Sequence, residues 1–410
     1  MKFKSTTQMY VAGVTALLMA SAASAQDVRV TIAEYSSKTG PYFNEVAAAF
    51  EAETGKKVAV EIVPWDNLLQ KLTTDISGGA NADLSIIGTR WLLDFVSEGI
   101  AAPLDDLVSD EVKSRFVPAF LEPSNMDGKL YGLPVAASAR GMYYNTALFE
   151  KAGITELPDT WTELAAAAEK ISALGDDVYG FGLQGKEIET DVYFYYALWS
   201  QGGTLIEEDG TSGLDTEAAY AAAKIYKDLI DKGLTQPGVT SYSREDVQNL
   251  FKQGRVGMMI TAPFLANQIK TEAPDLGYGV IAIPAGETGA RGTYGVTDSI
   301  IMFENAKNKE AAAEFLEFMF RTEWRTKFDA GEGFLPVTSA VAEAPEFAND
   351  PVLTAFTGLL PDARFAPVIS GWEEIAAITS DAMQTIYLGN GEIEATLNAA
   401  AQRINTILGK

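Results

Sequence analysis

Cysteine is absent from all 410 residues, and so is histidine. Without cysteine there is no disulfide framework and no thiol for a lipid-anchored N-terminus. Without histidine, Ser-His-Asp triads, imidazole acid–base chemistry and the common zinc sites are excluded. Basic residues are scarce as well: 31 Lys and Arg stand against 56 Asp and Glu, a net charge of −25. That balance excludes nucleic acid and an anionic membrane surface as expected partners. Solubility accounts for it, with an acidic docking face as the functional alternative. Long hydrophobic runs are missing after the N-terminus, where nothing approaches the roughly 20 residues needed to span a bilayer.

The exception is the start of the chain. Lys2 and Lys4 precede an apolar run from Met9 to Ala20, and Ala23-Ser24-Ala25 follows it. This three-part layout predicts a cleaved secretory signal over residues 1–25. A mature chain from Gln26 in the periplasm is expected, and loss of the two lysines takes its net charge to −27. With 47% apolar residues, a chain of this length can build a large core without disulfides.

Short β-rich runs alternate with amphipathic segments, as in layered α/β folds. Val28 to Glu34 reads as a strand, Pro41 to Thr54 as a helix stopped by Gly55, and Lys57 to Val63 as a second strand, which together make a βαβ unit. Asp83 to Ile87 is a buried parallel strand. Ligands of open α/β sheets bind outside the carboxyl ends of the strands. Here those ends carry Glu34-Tyr35, Trp65-Asp66 and Arg90-Trp91. A second α/β system follows Tyr131, with the capping box Thr160-x-x-Glu163 opening one helix and Val256 to Ile260 forming another buried strand. Between the systems, Val135 to Gly141 holds almost no side-chain bulk, which suits a crossing that passes close to a ligand and allows hinge motion. The glycine-flanked stretch from Val280 to Gly295 suggests a second crossing.

Two decoys are set aside. Gly180 to Gly185 satisfies GxGxxG, but it spans a short strand and not a strand-to-helix turn. Glycoside hydrolysis needs two carboxyl groups about 5–10 Å apart, and nothing marks such a pair among so many acids.

Several segments carry a family resemblance: DLSIIGTRWLLDFVSEGIAAPLDDL, LYGLPVAASARGMYYNTALFEKAGI with PDTWTEL after it, LFKQGRVGMMITAPF, and NKEAAAEFLEFMFRTEWRTKF. In this order the chain resembles the extracellular solute-binding proteins of carbohydrate ABC importers, the group of maltose-binding protein. The resemblance implies an α/β, two-lobed periplasmic-binding-protein fold of type II, with discontinuous lobes joined by three hinge strands. The lobes expected are 26–137 with 292–345, and 138–291 with 346–410. It also implies a monomer without cofactor or catalysis, and as partner an inner-membrane ABC permease with ATPase subunits. Trp91 matches an aromatic after a family strand, Phe264 stands where many members have tryptophan, and Trp372 matches an aromatic of the C-terminal pattern. Ser138 and Arg140 occupy a crossing where maltose binders carry acids, a departure that counts against maltose itself.

A carbohydrate presents an apolar face to aromatic rings and a rim of hydroxyls to polar groups. The aromatic candidates are Trp65, Trp91, Phe264 and Trp372, with Tyr35 and Tyr294 behind them. The polar candidates are Glu34, Asp66, Arg90, Ser138, Arg140, Glu187, Asp298 and Arg364. A mono- or oligosaccharide is the expected ligand. The arginines leave a polyol or an anionic sugar (uronate, sulfonated or phosphorylated) as the alternative, and an exported glycan-degrading enzyme is third.

Overall fold

The strands of the two main sheets, in chain order, are Val28–Glu34 (β1), Val58–Pro64 (β2), Leu84–Gly88 (β3), Gly132–Ser138 (β4), Gly141–Asn145 (β5), Tyr179–Gly182 (β6), Val256–Thr261 (β7), Tyr278–Ile281 (β8) and Val296–Met302 (β9). They belong to a computed structural model that describes residues 27–186, 189–367 and 369–410. The proposed signal, 1–25, and Glu187 lie outside the described residues. The first sheet runs β2-β1-β3-β9-β4 and the second β8-β5-β7-β6. β1 pairs in parallel with β2 and β3, whereas β9 is antiparallel to both β3 and β4.

Burial explains the composition of these strands. Every residue of β3, β4 and β7 is buried, so the strands read as continuous apolar or small runs and not as alternating ones. The helices around the first sheet include Thr39–Thr54 (α1), Trp65–Ser77 (α2) and Leu92–Ser97 (α3). In the second layer system come Trp161–Ser172 (α4), Thr190–Ser200 (α5), Glu217–Asp231 (α6), Arg244–Lys252 (α7) and Phe264–Glu272 (α8). Lys309–Met319 (α9) and Thr322–Glu332 (α10) return to the first sheet's side, and Trp372–Tyr387 (α11) and Ile393–Ile407 (α12) close the chain. The capping box is formed: the Thr160 hydroxyl accepts from the Glu163 N–H while the Glu163 carboxylate accepts from the Thr160 N–H.

The passage between sheets is short. Ser138 still pairs with Val296 in the first sheet, and Gly141 already pairs with Thr261 in the second. A Cβ on Gly141 would lie 2.9 Å from Val280 Cγ1 and 3.1 Å from a Phe356 ring atom, so a larger residue at this junction would have to displace its neighbours. Val280 sits within β8 of the second sheet, and the return passage therefore falls in the loop after it. Thr293 ties the two passages together: its hydroxyl accepts from the Arg140 N–H (2.8 Å) and donates to the Arg140 carbonyl (2.6 Å).

Two buried clusters fill the molecule. One contains the first sheet with α1, α3 and α9, and extends through Tyr143, Met259, Phe251 and Leu265 onto one face of the second sheet. The other lies between α4, α5, α6, α11 and α12, with Trp161, Tyr195, Tyr226 and Trp372 among its largest members. Gly180 shows how tight this packing is. Its Cα faces α4, and an added Cβ would come 2.4 Å from both the Cα and the carbonyl oxygen of Ala168. That approach explains a glycine of the GxGxxG match without a nucleotide. Gly180→Ala should destabilise the fold by about 1–3 kcal/mol, as overpacking against backbone does, measured by denaturant unfolding.

Candidate functional site

The carboxyl ends of β1, β2 and β3 converge on a cleft between the sheets. Pro64 ends β2 and Trp65 opens α2 directly, which holds the indole at the strand end. Tyr35 and Trp65 are stacked at 6.1 Å and 25°, and Trp65 and Trp91 at 5.4 Å and 23°. The three side chains form one row of aromatic rings along the wall of the cleft.

The cleft consists of two chambers. The first, about 420 Å³, is lined by Trp65, Asp66, Arg90, Trp91, Tyr294 and Asp298, with Met126, Val192, Phe365 and Glu373 among the rest. The second, about 330 Å³, is lined by Glu34, Tyr35, Trp65, Ser138, Arg140, Phe264 and Asp298, together with Arg244 and Glu332. Trp65, Glu189, Val296 and Asp298 belong to both and form the waist between them. Each volume falls near the lower end of small-molecule sites, about 300–1,000 Å³.

Charged groups on the walls are largely fixed by one another. Arg140, buried in the crossing, donates to Ser138 Oγ (2.6 Å) and to Glu189 Oε1 (2.7 Å). Arg244 donates to the other Glu189 oxygen at 3.3 Å and to Glu245 at 2.8 Å, while its guanidinium lies 5.2 Å from the Phe264 ring centroid. Burial alone would raise the Glu189 carboxyl, but Arg140 and Arg244 outweigh it and hold it at about 2. Glu189 also has a left-handed backbone, φ 82°, which few non-glycine residues adopt. Arg90 pairs with Glu373 from the other side of the cleft, Nη2 to Oε2 at 2.8 Å.

Asp298 is different. β9 shifts register between Asp298 and Ser299, the kind of irregularity that re-aims a side chain. The result is a carboxylate only 5% exposed, facing Tyr35 at the waist. Burial pushes Asp298 up to about 7, opposed by Tyr35 and by the Arg140 and Arg90 charges. Its Oδ1 has no hydrogen-bond partner of normal geometry among the described residues, and neither have the Tyr35 and Tyr294 hydroxyls, Trp91 Nε1 or Thr297 Oγ1. Buried polar atoms are nearly always paired. Tyr35 lies against Asp298, Tyr294 against Arg90 and Trp91 Nε1 against Glu373, so polar atoms edge the aromatic row along its length.

The structure thus brings together Glu34, Tyr35, Trp65, Asp66, Arg90, Trp91, Ser138, Arg140, Phe264, Tyr294 and Asp298. Two candidates fall elsewhere. Trp372 is 1% exposed in the second core, its ring 6.1 Å from Tyr195, and lines neither chamber. Arg364 is exposed, in a two-residue ribbon with Thr293-Tyr294, and lies over the Trp199 ring. Sequence reasoning missed Glu189, Arg244 and Glu373. Glu373 adjoins the tryptophan that was singled out, but one step along α11 turns it from core to cleft.

Two α/β layer systems joined by short crossings around an internal, aromatic-lined cleft describe a receptacle for a small solute. The bacterial extracellular solute-binding protein model matches residues 33–326, and the chain belongs to that family, among the solute-binding proteins of sugar ABC transporters. It is 67% identical over 401 residues to a binding protein of Brucella abortus, covering 98% of each chain. It is 27% identical over 308 residues to the maltotriose-binding protein of Pyrococcus abyssi, covering 73% of this chain and 64% of that one. An ABC transporter solute-binding protein of Thermotoga lettingae, solved with bound α-D-tagatose, superposes with a TM-score of 0.86 at 26% identity, covering 93% of this chain and 99% of that one.

Proposed function

We propose that this protein is the periplasmic capture component of an ABC importer and holds a neutral carbohydrate in the two-chambered cleft. The row of Tyr35, Trp65 and Trp91, edged by buried polar atoms, carries the reading. Ring faces pack on the apolar side of a pyranose, and Asp298, Tyr35, Tyr294, Thr297 and Trp91 offer acceptors and donors to its hydroxyls. The relatives named for maltotriose and tagatose support the same class. The lobes 26–137 with 292–345 and 138–291 with 346–410 close over the sugar, which an inner-membrane permease with ATPase subunits then receives.

The pairing of Arg90, Arg140 and Arg244 favours a neutral ligand over an anionic one. A guanidinium whose charge a carboxylate already balances attracts a second anion less than an uncompensated one does. The test is a thermal-shift screen of the chain from Gln26 against neutral mono- and disaccharides, polyols, uronates and sugar phosphates. A neutral sugar at about a hundred times its dissociation constant should add roughly 2.7 kcal/mol to apparent stability. Response to acids alone would reverse the assignment of charge, and silence across the panel would remove the carbohydrate reading.

A further inference from the structure

The two chambers of the cleft differ in chemistry. The second is walled by carboxylates, amides and hydroxyls, among them Glu34, Ser37, Ser138, Asn267, Gln268 and Glu332. Such groups suit the rim of a hydroxylated ring, which both donates and accepts. The first is walled largely by hydrocarbon. Leu69, Leu93, Met126, Val192, Phe365 and Pro367 line it beside the indoles of Trp65 and Trp91, and none of the six lines the second chamber. Leu69 follows Trp65 by one helical turn on α2, so the two share a face.

These apolar groups come from both layer systems. Leu69 and Leu93 stand on α2 and α3, and Met126 shortly before β4, beside the first sheet. Val192 stands on α5, and Phe365 and Pro367 lie in the segment ahead of α11, whose helices pack in the second core. Hydrocarbon therefore meets an occupant from both halves of the molecule and not along one aromatic face alone. Two polar side chains of the chamber are turned to protein partners: Thr89 Oγ1 lies 2.7 Å from Ser299 Oγ, and Arg90 holds Glu373. A fully hydroxylated ring here would take hydroxyls out of water without replacing every hydrogen bond, which weakens binding. An apolar group would instead cover Leu69, Leu93, Phe365 and Pro367, each only half-buried. There is room for one: an apolar cavity of about 150 Å³ takes up benzene, and this chamber measures about 420 Å³.

We propose that the ligand is a glycoside of two unlike parts, a hydroxylated sugar ring in the second chamber and an apolar aglycone in the first, joined at the waist beside Trp65 and Asp298. The proposal rests on the carbohydrate reading and narrows it.

The test is titration calorimetry of the chain from Gln26 with matched methyl and phenyl glycosides, α and β, of glucose, galactose, mannose and xylose, beside the free sugars. For a sugar that binds, the phenyl glycoside should bind at least about tenfold more tightly than the methyl glycoside. Leu69→Asn should bring that ratio close to one, because Leu69 lines the first chamber alone. A ratio that Leu69→Asn leaves intact would overturn the proposal. Should that variant fail to fold in a thermal melt, Phe365→Ser gives the same reading of the ratio. Equal affinities for the methyl and phenyl partners, or free sugars that bind where their glycosides do not, overturn this proposal and leave the carbohydrate reading standing. Silence from free sugars and glycosides alike removes both.

Discussion

Arg325→Leu should destabilise the fold by about 3–5 kcal/mol, the usual cost of removing one partner from a buried ion pair. Arg325 and Asp329 are both 0% exposed, one turn apart on α10, with Nη2 2.6 Å from Oδ1. The same nitrogen donates to the Val135 carbonyl in β4, and the guanidinium lies 4.6 Å from the Phe328 ring centroid. Burial pushes the Asp329 carboxyl up to about 7, with Arg325 opposing it. Leucine would leave that carboxyl without its counter-charge and the β4 carbonyl without its donor. Denaturant unfolding measures the loss. Arg325→Leu combined with Asp329→Leu should recover a large part of it, since replacing both partners of such a pair with apolar residues is often close to neutral. If the double variant is no better than the single, packing against Phe328 matters more than the charge.

Trp65→Ala should weaken the binding of a sugar identified in the screen by at least about 2 kcal/mol, roughly thirtyfold, as loss of a central anchor does. Trp65 is the one aromatic that lines both chambers, and its ring neighbours those of Tyr35 and Trp91. It is only partly buried, whereas Trp91 is 5% exposed and belongs to the core, so truncating Trp91 would mix folding with binding. Titration calorimetry beside a thermal melt separates the two effects. Loss of binding with an unchanged melt supports the aromatic row, and unchanged binding would move the ligand away from the waist.

How much of this was legible depended on whether the deciding contact was local. β1 and β3 were written in runs of β-branched and aliphatic residues, and the Thr160–Glu163 capping box in a four-residue pattern. The strand-end rule placed Tyr35, Trp65 and Trp91 in the cleft because strand direction and sheet order fix where those ends point. The partners of the arginines were not legible: Arg90 meets Glu373 across 283 positions, and Arg140 meets Glu189 across 49. Trp372 and Glu373 show a second limit. A pattern can mark the right turn of a helix without saying which face of it meets the cleft, and 100° of rotation per residue separates core from wall.

The double hydrogen bond between Thr293 and the backbone of Arg140 has a mechanical meaning. Two connectors that could slide independently would let the halves of the molecule shear and twist as well as swing. Joined through one hydroxyl, they are held at a fixed spacing where they run between the sheets. Any slip of one passage along the other would have to break both bonds at once.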